Sequence, residues 1–273
     1  MRRRQALAAL AAAPAFARAQ PAEGALERIR RRGSLVVGLY HDMPPFHSQG
    51  QGIDVELARA LARQLGVGLS MLPFRADEDM ADDLRNVVWK GHYLGWGPAD
   101  VLLHVPLDPP LQRANPQVQI VAPYYRERVM LAFDCRRLPQ VDTLAALHGH
   151  KIGAAGLSLA GWLMIGAEGG LLRDDLVARW PDGVAAAQAL KAGELEAVAG
   201  LASELESVLS RDARFVLQPL PAPRAPRDGW AVACAVKKDS NDLAAALQQA
   251  MQSLQTSGRL KELFRERDVA WRL

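Results

Sequence analysis

The sequence predicts an α/β protein built as two lobes, each a mainly parallel sheet with helices on both faces. Three observations carry that expectation. Short apolar runs of strand character alternate with amphipathic helices from residue 34 onward, and such alternation needs crossover connections that leave neighbouring strands parallel. The alternation starts again after an extended run at 129–133. The chain has 273 residues, 49% of them hydrophobic, which exceeds a typical single domain and is enough to fill two cores.

The first residues read as a leader. Arg2, Arg3 and Arg4 precede an apolar stretch over 6–16 and the small-residue triplet Ala17-Arg18-Ala19, the pattern of a secretory signal peptide cleaved after Ala19. The stretch is shorter than the roughly 20 residues a membrane span needs. Export to the periplasm is expected, by the general or the twin-arginine route: three arginines allow the second, although the usual Ser and Phe around them are missing.

Residues 22–32 then read as a charged helix stopped by Gly33, and Leu35-Val36-Val37-Gly38-Leu39 as a buried strand. Pro44, Pro45, Gly50 and Gly52 make 41–52 a loop. In the helix over 53–65 the apolar residues Ile53, Leu57, Ala60, Leu61 and Leu65 share one face, and Gly66 stops it. A strand over 67–73, a helix over 80–90, a loop through Gly91, Gly95 and Gly97, and a strand over 100–105 follow. The prolines of 106–116 exclude continuous helix there. The second unit comprises a crossing strand 129–133, helix 141–147, strand 151–154, a helix from Ser158, helix 183–191, strand 197–199, a returning strand 230–236 and a helix 242–256 closed by Gly258.

Charge and composition exclude several function classes. Residues 1–19 carry four arginines and no acid, so their removal takes the formal charge from +3 to −1. A near-neutral chain without a basic block has no electrostatic reason to bind nucleic acid or an anionic membrane surface. The two cysteines, Cys135 and Cys234, form either one disulfide or two buried thiols. Neither has a C-x-x-C partner or a neighbouring His, so no metal site is expected, and no motif calls for a cofactor. Enzyme signatures are absent: Ser158 lacks a G-x-S-x-G elbow, and His148-Gly149-His150 reads as a solvated turn. His41 and His47 flank the proline loop, where they could meet a ligand.

Several spaced elements occur in a familiar order: Gly33-x-Leu35-x-Val37-Gly38, Pro44-Pro45-Phe46, Gly52-Ile53-Asp54-Val55-Glu56-Leu57-Ala58, Pro123-Tyr124-Tyr125, the stretch 147–153, Ala189-Leu190-Lys191-Ala192-Gly193-Glu194, Lys237-Lys238-Asp239 and the final 254–264. Together they resemble the type 3 extracellular solute-binding proteins, the family that feeds amino-acid ABC transporters. The resemblance implies a periplasmic-binding-protein-like fold, with lobe 1 from 20–132 and 235–273, and lobe 2 from 133–234 inserted between two crossing strands. It further implies a monomer that holds a small polar organic ligand in the cleft, closes over it and delivers it to an ABC permease without catalysis. It sets the crossing strands side by side, which would bring Cys135 and Cys234 together at the hinge. A second, local resemblance lies in Asp83-Leu84-Arg85-Asn86-Val87-Val88-Trp89-Lys90, the glycine-rich insertion, Ala99-Asp100-Val101-Leu102-Leu103-His104-Val105-Pro106 and Pro123-Tyr124-Tyr125-Arg126. These look like the binding-protein-like partners of PQQ-dependent alcohol dehydrogenases, which implies a quinoprotein dehydrogenase as the alternative partner. A dehydratase-like activity, known on a few such folds, is a distant third, and no acid/base pair for it is visible.

The first resemblance implies a site and shows where this chain departs from it. The arginine that holds a ligand carboxylate matches Arg113, and the planar fork of arginine suits that task, but the hydroxyl residues before it are replaced in the segment from His104 to Arg113. The lobe 2 turn matches Gly156-Leu157-Ser158-Leu159, where Ser158 caps a helix and presents its hydroxyl. The acid expected near Gly200-Leu201 for a ligand ammonium is missing, which argues against ordinary α-amino acids. Met43 stands where an aromatic platform is usual, leaving Phe46 for apolar contact or for the core. The candidate ligand residues are therefore Phe46, His104, Arg113, Ser158 and Leu159.

Overall fold

The computed structural model describes residues 23–273; the leader expected over 1–19 lies outside the described residues. Lobe 1 is built from α1 (Ala25–Arg32), β1 (Ser34–Tyr40), α2 (Ile53–Gln64), β2 (Gly68–Phe74), α3 (Met80–Leu84) running into a π-helical turn (Arg85–Trp89), β3 (Val101–Pro106), α4 (Pro109–Ala114) and β4 (Val118–Glu127). The chain then forms β5 (Val129–Asp134), β6 (Ile152–Ala155), α5 (Leu159–Ile165), β7 (Leu176–Trp180), α6 (Gly183–Lys191), β8 (Ala197–Leu201), α7 (Ala202–Leu209) and β9 (Phe215–Pro219). It returns as β10 (Trp230–Lys237) and ends in α8 (Asn241–Thr256) and α9 (Arg259–Arg265).

These strands make two five-stranded sheets, β2-β1-β3-β10-β4 and β7-β6-β8-β5-β9. In the first, β1 is parallel to β2 and β3, while β10 is antiparallel to β3 and β4. In the second, β6 is parallel to β7 and β8, and β5 is antiparallel to β8 and β9. The antiparallel members are the strands that carry the chain between lobes, so each sheet is mixed.

Alternating side chains serve two cores per sheet. Leu35, Val37 and Leu39 pack under α2, α8 and α9, whereas Val36 and Tyr40 face Leu84, Val87 and Val88. Lobe 2 repeats the plan, with Leu131 and Phe133 beneath α5 and Met130 and Ala132 beneath α6 and α7. Trp230 packs against a core of each lobe.

Three expectations are corrected. The chain leaves the first sheet at Arg128 and re-enters it after 220–229, because β5 pairs with β8 and β9 along its whole length while β10 pairs with β4 from Trp230 and with β3 from Val232. This moves the expected boundaries at 132/133 and 234/235 to earlier positions. The partner of β10 is thus β4, not β5, and the cysteines do not meet. Cys234 is buried in β10 opposite Val121, whereas Cys135 follows β5 and donates its N–H to Arg214 O at 2.9 Å; both are free thiols. The helix expected over 141–147 is a single 3-10 turn, Leu144–Leu147, between extended residues at Thr143 and His148.

A third connection joins the lobes. Residues 268–272 follow α9 and lie between β4 and α7. On the lobe 1 side Arg126 N–H donates to Arg272 O (2.9 Å), Trp271 Nε1–H to Tyr124 O (2.8 Å) and Arg272 Nη1–H to the Tyr125 hydroxyl (2.8 Å). On the lobe 2 side Ala270 N–H donates to Glu206 Oε2 (2.9 Å), Ser210 Oγ–H donates to Asp268 O (2.9 Å), and Arg272 and Arg211 pair with Glu206 and Asp268.

Candidate functional site

The strand registers place the site. In lobe 1, β1 and β3 run parallel and end at Tyr40 and Pro106, and Pro106 lies level with Val232, two residues from the start of β10. In lobe 2, Val129 pairs with Leu201 immediately after the crossing, and Ala202 N–H donates to Arg128 O at 2.9 Å. Because Gly153 pairs with Val198 in parallel, the turn at 156–158 sits at the level of 201–203. The carboxyl ends of both parallel sets therefore face the crossing, where open α/β sheets hold ligands.

Lobe 1 contributes a buried polar cluster centred on a bulge. Between Leu102 and Val105 the strand β3 holds two residues where β10 holds one. The bulged residue is His104, whose φ of +64° is left-handed. The effect on packing is direct: Leu103 belongs to the core beneath α2, but Val105 belongs to the opposite core, so the strand changes phase across His104. Bulges re-aim side chains in this way. The ring of His104, 12% exposed, turns toward Phe46, with ring centroids 4.2 Å apart. Its Nδ1 lies 3.3 Å from Asp54 Oδ2, close enough for ion pairing but without hydrogen-bond geometry. Tyr124 completes the group by donating its hydroxyl to Asp54 Oδ1 at 2.8 Å and accepting the His104 N–H at 3.0 Å. Burial, then the Asp54 charge, pushes the Tyr124 hydroxyl well above its ordinary pKa, so it stays a donor.

Local sequence explains this arrangement. Gly52, at φ +135°, lets 46–52 fold back onto the start of α2, where a Cβ would lie 2.1 Å from Phe46 O. Ile53 and Asp54 then donate their N–H groups to Pro45 O (3.1 Å) and Phe46 O (3.0 Å). Asp54 sits in the first turn of α2, where the helix dipole favours an acid.

The hinge adds two carboxyls. Glu127 is fully buried; it accepts the Arg128 N–H at 3.0 Å and the Ser203 hydroxyl, and burial raises its pKa despite these bonds. Glu204 accepts N–H groups from Leu201 (2.9 Å) and Gly183 (3.0 Å), and burial pushes its pKa to about 7. Across the cleft, Ser158 caps α5: its Oγ accepts the Gly161 N–H at 3.0 Å and donates to Ala155 O at 2.8 Å. The neighbouring Leu157, Leu159 and Trp162 are 95%, 44% and 62% exposed. Among the described residues no three His, Cys, Asp or Glu side chains converge as a metal site.

No family model matches the chain. The L-cystine-binding protein TcyJ of Escherichia coli K12 is 42% identical over 64 residues, 22% of this chain and 24% of that protein. The chain thus spans 24% of the length of the curated relatives it matches. Solved structures match along nearly the whole chain. An ancestral cationic amino-acid solute-binding protein, AncCDT-1, aligns with a TM-score of 0.69 and 17% identity over 89% of this chain and 99% of its own. An amino-acid ABC transporter substrate-binding protein of Streptococcus pneumoniae bound to L-arginine gives 0.62 and 21% over 92% and 100%. A second such protein of that species, AbpA, also bound to L-arginine, gives 0.59 and 26% over 88% and 97%. The chain has the fold of the amino-acid substrate-binding proteins.

Within this substrate-binding fold the expected site residues separate into three places. Phe46 and His104 meet edge to face in lobe 1, with Phe46 at 2% exposure also near Tyr125 and Phe264. Ser158 and Leu159 stand on the opposite lobe. Arg113 joins neither: it is exposed in the last turn of α4 and makes no hydrogen bond or ion pair among the described residues, while its neighbour Gln112 is fixed to Val118 O and Ile120 N at 2.8 Å. His47 is structural, its Nδ1–H donating to Tyr40 O at 2.6 Å.

Sequence reasoning missed Asp54, Tyr124, Glu127 and Glu204 as site groups. Asp54 carried a signal, since it shares a helix face with Leu57, Ala58 and Leu61, and an acid on a buried face needs a partner. The acids sought near Leu201 exist as Glu127 and Glu204, both already engaged by hydrogen-bond donors.

Proposed function

We propose that the protein is a periplasmic solute-binding protein that captures a small polar organic ligand between its lobes and presents it to an ABC permease. The observation that carries this reading is the opposition of two unlike walls at the carboxyl ends of the strands: the His104, Asp54 and Phe46 cluster on one lobe and the 156–159 turn on the other. The whole-length likeness to amino-acid substrate-binding proteins supports it, as does the short stretch shared with a cystine-binding protein. Lobes divided at Arg128 and 220–229 would move as units about the hinge, with the exported chain acting as a monomer. Among the described residues no helix is long and apolar enough to cross a membrane. Binding rather than catalysis is the proposed role, since Ser158 has both its hydrogen-bonding functions engaged by backbone.

The test is a thermal-shift screen of organic solutes, amino acids and cystine included, followed by small-angle scattering with and without each hit. A ligand at 100 times its Kd should stabilise by about 2.7 kcal/mol, and the radius of gyration should fall as the lobes close. Stabilisation without closure would count against transport. The quinoprotein-partner reading has one observation of its own. The insertion after the π-helical turn stacks His92 on Trp96 (4.4 Å) and leaves Tyr93 and Leu94 87% and 70% exposed, a knob suited to protein contact. Co-purification with a quinoprotein dehydrogenase, lost on Tyr93→Ser, would favour it.

A further inference from the structure

We propose that the hinge carries a ligand site of its own, a pocket around Arg128 that takes a small organic carboxylate. It is separate from the cleft, since neither the His104 cluster nor the 156–159 turn lines it.

The two crossings build the pocket together. Leu220 N–H donates to Val129 O at 3.2 Å. Gly229, at φ +64°, brings the returning segment so close to the outgoing one that a Cβ there would run into Glu127 O. Between these contacts the second crossing passes over Arg128 and Val129 and leaves a cavity of about 310 Å³, room for one small organic molecule. Four prolines line it, and their fixed φ stiffens that wall.

Three observations set the chemistry. First, Arg128 holds a charge that does not titrate away. Its side chain makes no hydrogen bond or ion pair among the described residues, and its Nε is buried without a partner. Glu127, next in the chain, turns its carboxylate to Ser203 and to backbone N–H groups instead. A guanidinium partly stripped of water attracts an anion more strongly than one on the open surface. Second, Arg227 lines the same pocket and no acid does. Third, the wall selects among anions. The prolines carry no N–H, and those of Leu220, Ala222 and Ala225 are engaged by the carbonyls of Val129, Leu220 and Ala222. A phosphate, which calls for donors all around it, finds few here. A carboxylate needs only the two parallel N–H groups of one guanidinium, and its apolar body would lie against the proline rings and Leu220. Such a ligand touches both crossings, so on the solute-binding reading it would restrain the hinge about which the lobes move.

The experiment titrates the exported chain by calorimetry with benzoate, hexanoate, benzamide and inorganic phosphate, and follows amide hydrogen exchange with and without benzoate. The carboxylates should bind one to one, at least tenfold more tightly than benzamide or phosphate, and benzoate should slow exchange in 127–129 and 219–229. Arg128→Gln should lose at least tenfold in carboxylate affinity, and Arg128→Lys, which keeps the charge but not the fork, at least about fivefold. Arg224→Gln, at an exposed arginine of the same loop that does not line the pocket, should lose nothing. Melting and circular dichroism check that the variants fold; Arg227→Gln, at an exposed position, should lose about threefold and serves if Arg128→Gln does not fold. Carboxylate binding that the Arg128 and Arg227 variants leave unchanged, phosphate binding as tightly as benzoate, or exchange slowed only around 41–46 and 156–159 would overturn the inference, as would the absence of saturable carboxylate binding. Solute capture and lobe closure are read separately by the thermal-shift and scattering screen, so either reading can fail without the other.

Discussion

Glu204 illustrates how one side chain can tie a lobe together and make its stability depend on acidity. Its carboxylate accepts the N–H groups that begin α6 and α7, yet burial raises its pKa from 4.5 to about 7. The folded state thus binds the proton more tightly than the unfolded chain. The stabilisation is fully present below about pH 4.5 and is lost as pH rises through about 7. Wild-type protein should lose on the order of 2–3 kcal/mol between pH 5 and 8 relative to Glu204→Gln, measurable by urea unfolding at both pH values; parallel profiles would contradict the assignment. Asp54 was legible as an acid on an apolar helix face, but its partners were not. His104 lies fifty residues away in sequence, and only the bulge in β3 turns its ring to the α2 side. A one-residue offset in pairing leaves no mark in composition or periodicity. Its left-handed conformation is also sequence-silent and costs about 1–3 kcal/mol.

Elements were legible where their periodicity was strong. The helices α1, α2, α6 and α8 and the strands β1, β3 and β8 fall where apolar spacing placed them. The strand β4 was not read because Pro123 interrupts it; it tolerates the proline at the edge of its sheet. The expectation that β10 and Cys234 would meet β5 and Cys135 came from the resemblance, which set the two crossing strands side by side, and with β4 unread the sequence offered β10 no other partner. The loop before α2 offers a sharper test of element geometry. Gly52→Ala would drive a Cβ into the Phe46 carbonyl in a left-handed backbone. It should destabilise by more than about 2 kcal/mol and release Phe46 from His104, seen as a lower melting temperature together with weaker ligand binding. Ser158→Ala removes only the cap of α5, and a loss of about 1 kcal/mol in chemical denaturation is expected.

At the scale of the whole molecule the lobes are held by two crossings and by the strap at 268–272. Arg272 and Glu206 are 19% and 10% exposed, so their charged hydrogen bond should contribute on the order of 2 kcal/mol. Arg272→Ala is expected to widen the spread of lobe angles in the unliganded state, raising the radius of gyration in scattering while each lobe keeps its helical content. The return of the chain as β10 has a consequence for the order in which the protein forms. This strand lies between β3 and β4, so the first sheet lacks a central member until residue 237 is available. Residues 128–229, in contrast, contain every strand of the second sheet. Contacts between β4 and β10 close a loop of about a hundred residues, and such distant pairings form slowly. A fragment spanning 128–229 should fold alone, with dispersed amide resonances, and in refolding of the full chain its signals should gain exchange protection before those of β1 and β3. The N-terminal half would wait, partly formed, for the last strand to arrive.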